Sequence, residues 1–139
     1  MQVQPYLMFD GRCEEAIAFY KRALGAEVVA LKRFSEAPVG TQGGPQMPPE
    51  KVMHAALRIG ETVVFASDGT CAGKASFNGF SLSIAAPGDA EAARLFDALG
   101  AGGGQVQMPM AKTFFASSFG MVADKFGVSW MVLAGMVQS

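Results

Sequence analysis

The sequence is short of the residues that most site chemistry needs. It has one histidine, two cysteines, one tryptophan and two tyrosines, and only 17% of its residues are charged. Eleven Lys and Arg against twelve Asp and Glu leave a net charge of −1, with no run of like charge. Such a surface lacks the clustered cations that hold a phosphate backbone, so no nucleic-acid partner is expected. Cys13 and Cys71 do not make a disulfide framework of the secreted kind, and neither stands in a CxxC pair. No apolar stretch approaches membrane-spanning length, and residues 1–5 lack the basic start and apolar run of a signal peptide. A soluble, cytoplasmic protein with no membrane partner is the expectation.

What the chain has is apolar bulk. Half of its 139 residues are hydrophobic, enough for one domain to build its own core. The clearest periodic stretch is 13–26, where Cys13, Ala16, Ile17, Tyr20 and Leu24 fall on one helical face. Glu14 and Glu15 open this helix and Lys21 and Arg22 close it, the sign order that a helix dipole favours. Gly25 suits the left-handed position that ends it. The tetrapeptide Ala23-Leu24-Gly25-Ala26 returns as Ala98-Leu99-Gly100-Ala101, an offset of 75. Residues 3–9 and 27–34 read as strands on either side of the first helix. Residues 80–84, alternating apolar and hydroxyl, read as the strand before the second. Asp89 is placed as the N-cap of that helix, and Gly100 to Gly104 as its stop.

Residues 52–59 and 62–67 form a hairpin pattern around Gly60-Glu61, and 105–115, 120–124 and 128–133 supply three further strands. Gly60-Glu61-Thr62-Val63-Val64 aligns with Gly127-Val128-Ser129-Trp130-Met131 at an offset of 67. The first copy therefore carries eight extra residues (75 less 67), placed in the Pro/Gly-rich loop 35–50, a lid candidate. The fold class is α+β, with two βαβββ modules over 1–68 and 79–137 joined by a linker 69–78 in a single domain.

That order resembles the vicinal oxygen chelate superfamily, which includes glyoxalase I, fosfomycin-resistance proteins, extradiol dioxygenases and bleomycin-binding proteins. Within it the chain resembles the PhnB-like group, also labelled 3-demethylubiquinone-9 3-methyltransferase-like. The matching segments are Pro5 to Gly11, Glu15 to Tyr20, Gln46 to Glu50, Val52 to Ala55 and Phe119 to Trp130. The resemblance implies two curled mixed sheets forming a cup, helices on the convex side, and a homodimer. In metal-dependent relatives it implies a His, Gln or Glu on the first strand of a module and a Glu on its last strand, converging on a divalent ion.

Carried over, those positions are Pro5 or Tyr6, then Gly79, Phe80 or Ser81, with Val64 and Met131 on the last strands. This donor set is poor, so neither a metal nor a cofactor is expected. His54 is either a hydrogen-bonding or acid/base residue at the cup mouth or a strand histidine bonded to nearby backbone. Cys13 at a helix start is either an activated thiol or simple packing. The glycine run 100–104 closes a helix rather than opening one, so it is a turn and not a phosphate loop. Met131 is placed facing the cup and Trp130 behind it. The reading is a metal-independent protein that binds a small apolar molecule in a cup lined by Tyr6, Met8, His54, Val64, Ser81, Ser83 and Met131. The alternative is a divalent-metal enzyme of the glyoxalase or dioxygenase type with atypical ligands.

Overall fold

A computed structural model describes residues 1–37 and 47–136 of the chain. Much of the loop 35–50, including Gly40, Gly43, Gly44 and Pro45, lies outside the described residues, and so does its candidate role as a lid. The chain divides into two compact units, Met1–Ala75 and Ser76–Ser139.

The first unit runs β1 (Tyr6–Met8), α1 (Cys13–Leu24), β2 (Glu27–Arg33), a 3-10 turn (Phe34–Glu36), β3 (Val52–Ile59) and β4 (Thr62–Ser67). Its sheet has the order β1-β4-β3-β2, with β1 parallel to β4 and the other pairs antiparallel. The second unit runs β5 (Leu82–Ala86), α2 (Asp89–Gly100), β6 (Gln105–Ala111), β7 (Ala116–Ala123) and β8 (Ser129–Met136). Its order, β5-β8-β7-β6, repeats the first with the same single parallel pair. Both units are βαβββ, and both sheets are mixed and open.

The helix α1 ends as its sequence dictates. Gly25 takes φ 68°, and its N–H returns to the Lys21 carbonyl. Its start is less ordinary, because Arg12 stands at the N-cap and offers no side-chain acceptor. The missing cap comes from Asp68, just past β4, whose Oδ1 accepts from the N–H groups of Gly11 (3.0 Å) and Cys13 (2.7 Å). Its Oδ2 accepts from Val52 N–H at 2.7 Å. A buried carboxylate with three backbone donors satisfies its desolvated charge and fixes helix start and strand start together.

In the second unit the repeated glycine behaves differently. Gly100 is the last helical residue, packed so that an added Cβ would meet Val122 Cγ2 at 3.3 Å. The turn comes after it, at Gly102 and Gly103, both at positive φ. Asp89 is not the N-cap. Gly88 holds that position, and the Asp89 carboxylate instead accepts from the hydroxyls of Ser117 (2.6 Å) and Ser118 (2.8 Å). Residues 112–115, read as the end of a strand, form a turn closed by Thr113, whose Oγ1 accepts from Phe115 and Ala116 N–H. The β7–β8 turn is held by buried Asp124, which accepts from the N–H groups of Phe126 and Val128 and from Trp130 Nε1 at 2.9 Å.

Candidate functional site

Strand alternation sorts each sheet into two faces. In the first unit Leu7, Ala55, Leu57, Val64 and Ala66 are all at most 5% exposed and form the buried face, to which α1 brings Cys13, Ala16, Ile17 and Tyr20. Tyr6, Met8, His54 and Phe65 occupy the other, open face. Tyr6 is paired with Phe65, and its ring lies 5.7 Å from that of Phe65 and 5.5 Å from that of His54. His54 and Phe65 are 5.2 Å apart. These three rings, from β1, β3 and β4, form one aromatic cluster.

The polar contact within it joins Tyr6 Oη to His54 Nδ1 at 2.8 Å. Burial, followed by the nearby Cys13, pushes the Tyr6 hydroxyl up from its ordinary pKa, against a smaller lowering by Ser67, so it stays protonated. In the tautomer that carries its proton on Nε2, the imidazole accepts at Nδ1 from the Tyr6 hydroxyl. His54 thus has a side-chain partner, the tyrosine, where a bond to backbone had been the plainer expectation.

Val64 does not line this face. It pairs with Leu57 in the buried layer, and its neighbour Phe65 takes the open position. The 67-residue alignment is responsible, since it equates Val64 with Met131, which lies on the open face of the second sheet. A slip of one residue moves a side chain to the other face. The pairing of Tyr6 with Phe65 shows the register that the alignment missed.

In the second unit Ser83 is paired with Met131, and Met131 with Met121. Met131, Met121 and Phe115 pack against Ala116, Phe119 and Leu133 on this face. Ser81 Oγ lies 2.8 Å from Ser129 Oγ, which in turn lies 3.0 Å from Gln107 Oε1. Trp130 is 2% exposed on the opposite face, beside Val132, as its alternation with Met131 requires.

The sequence-selected residues therefore form two separate sets: Tyr6, Met8 and His54 in the first unit, and Ser81, Ser83 and Met131 in the second. Cys13 belongs to neither. It is fully buried, and desolvation, then Asp68, then Glu14, push its thiol up to about 12. That excludes a ready thiolate. A divalent ion of the superfamily's kind does not fit these residues. The open faces offer one imidazole, a neutral phenol, hydroxyls, the amide oxygen of Gln107, thioethers and a single carboxylate, Glu27, already paired with Arg58, and no group of three His, Cys, Asp or Glu suited to an ion exists among the described residues. No helix among the described residues is long and apolar enough to cross a membrane.

Comparison with known proteins agrees with this fold. The family described as 3-demethylubiquinone-9 3-methyltransferase matches residues 1–133. Protein YjdN of Escherichia coli K12 is 41% identical over 139 residues, covering 95% of this chain and 94% of that protein. Protein PA1353 from Pseudomonas aeruginosa, a crystal structure, is 42% identical with a TM-score of 0.83, covering 97% and 98% of the two chains. A PhnB protein from Bacillus cereus, described as a putative 3-demethylubiquinone-9 3-methyltransferase, is 26% identical at a TM-score of 0.77, covering 97% and 100%. A glyoxalase-related enzyme from Fulvimarina pelagi shares the fold at a TM-score of 0.65 and 19% identity, covering 97% and 88%. The chain belongs to the 3-demethylubiquinone-9 3-methyltransferase family, the PhnB-like group, and has the fold of glyoxalase-related proteins.

Proposed function

We propose that this chain is a metal-independent binding protein for a small, mainly apolar molecule, acting as a homodimer in the cytoplasm. The observation that carries the reading is the ring cluster Tyr6–His54–Phe65. It is an aromatic surface with one oriented polar pair, on a face where Tyr6 is 43% and Met8 49% exposed. Apolar bodies with few, fixed polar groups are the usual material of ligand sites, and flexible methionines such as Met8 and Met131 adapt to varied shapes. Exposed apolar residues on the edge strands, Val28 and Val29 of β2 and Val106 and Met108 of β6, suit a second copy of the chain. Two free thiols suit a reducing compartment.

Thermal unfolding against a panel of small aromatic and aliphatic compounds tests the binding. A ligand present at about 100 times its Kd raises stability by about 2.7 kcal/mol. A panel with no concentration-dependent shift sinks the reading. Elemental analysis of protein purified without chelator checks the other half, since one tightly held equivalent of a divalent metal would establish the metalloenzyme alternative instead. Sedimentation equilibrium giving a monomer at micromolar concentration would remove the dimer.

A further inference from the structure

The open face of the first sheet can be followed rung by rung. One rung holds Tyr6, Phe65, Ala56 and Ala30, each paired with the next across β1, β4, β3 and β2. In the neighbouring rung His54 lies directly opposite Lys32. Residues opposite one another in an antiparallel pair project to the same side, so Lys32 stands beside the imidazole. On the far side of the alanine rung Arg58 lies opposite Glu27, and the two pair at 3.6 Å.

The charges on this face are therefore unequal. Arg58 and Glu27 answer each other. Lys32 forms no ion pair among the described residues, and Glu27 is the only carboxylate that the strands place on this side. With Nδ1 engaged by Tyr6, the ring nitrogen that His54 has left to offer is Nε2. An ammonium and an imidazole N–H, both donors, stand next to two small residues and a bed of rings. A neutral hydrocarbon would leave those donors with water alone, whereas an anion's oxygens would take charge-assisted bonds from them.

We infer that the ligand of this face is an organic acid, a flat apolar body that rests on Tyr6 and Phe65 and turns its anionic group toward Lys32 and His54. This rests on the small-molecule reading above and adds the ligand's charge to it. The long aliphatic stem of Lys32 can lie along the apolar body while its head meets the acid.

Two probes with the same rings decide the matter: 2-naphthoate and 2-naphthalenemethanol, titrated into the full chain at low ionic strength. Methyl shifts of Met8 report this face and those of Met131 the second sheet. The acid is expected to bind about tenfold tighter than the alcohol, with Met8 responding. Lys32→Gln should remove most of that preference, and added salt should erode it. Equal affinities, a preference that survives Lys32→Gln, or shifts at Met131 alone would overturn the acid inference and leave small-molecule binding standing. Failure of both probes at millimolar concentration would overturn both readings together.

Discussion

The two units share their element order, their strand order and even the position of their one parallel pair, yet their open faces have little in common. The first presents rings, an imidazole and charged residues. The second presents methionines, phenylalanines and a chain of hydroxyls ending on Gln107. Their buried carboxylates differ as well. Asp68 ties together a helix start and a strand start far apart in sequence, whereas Asp124 closes a local turn and holds the indole of Trp130, six residues on. A shared frame dictates backbone pairing and the apolar layer under each helix. It places no demand on the side of each sheet that the helix leaves uncovered, so that side is free to differ.

The sharpest way to break this comparison is to remove the two carboxylates. Asp68→Ala strands three backbone donors, two of them buried, and should cost about 3–5 kcal/mol, measured as a shift in urea midpoint. Asp124→Ala loses the bonds from Phe126, Val128 and Trp130, but two of these lie within one short turn that can rearrange locally, so about 2–3 kcal/mol is expected. Equal losses would mean that reach in sequence does not matter. The glycines come next. Gly104→Ala would put a Cβ 2.7 Å from the Ala123 carbonyl oxygen and 2.9 Å from Gly100 backbone, which cannot yield, so about 3 kcal/mol should be lost. Gly25→Ala meets open space and faces only its positive φ, at about 1 kcal/mol.

Smaller effects belong to the open faces. Tyr6→Phe and Ser81→Ala each delete a half-exposed hydrogen bond and should change stability by less than about 1 kcal/mol. A large loss in either would show that the frame depends on those faces after all. The smallest contrast is in acid. Backbone donors of Lys74 and Ala72 hold the Asp10 carboxyl below its ordinary 3.8, and the hydroxyls of Ser117 and Ser118 do the same for Asp89. A carboxyl lowered on folding stabilises above its unfolded value and loses that contribution as pH falls from about 4 through the folded one. Urea midpoints taken from pH 6 down to pH 2 should therefore fall less steeply in Asp10→Asn and Asp89→Asn than in the parent. Asp10 should show the larger change, because its donors are fixed main chain rather than rotatable hydroxyls.

Much of the frame was legible because periodicity and glycine chemistry are local. The helix from Cys13 and the hairpin around Gly60-Glu61 follow from spacing, and the placing of Trp130 behind Met131 follows from strand alternation once the alignment turns Met131 toward the cup. What failed needed information from elsewhere in the chain. The cap of α1 sits 55 residues beyond the helix start, where no capping pattern reaches. Asp89 looked like a cap but found serine hydroxyls from β7 instead. The repeat of Leu24-Gly25 as Leu99-Gly100 suggested equal helix ends, but Gly100 is still helical and the left-handed turn falls at Gly102 and Gly103. Phe65 was missed for Val64 because composition treats both as strand formers, and only pairing with Tyr6 tells which way each points. Lys32 carried no signal until register set it beside His54.

The distant cap has a consequence for how the chain comes into being. On the ribosome α1 emerges well before Asp68 exists, with the Gly11 and Cys13 N–H groups at its start lacking the acceptor that Asp68 later supplies. An isolated twelve-residue helix is marginal in water. It should therefore flicker rather than persist until β4 is complete. A nascent chain stalled before residue 68 should show little helix protection, and one stalled past it should show protection of α1 and of the start of β3 in the same step. One aspartate thus acts as a checkpoint on synthesis, withholding the first helix until the first sheet is ready to receive it.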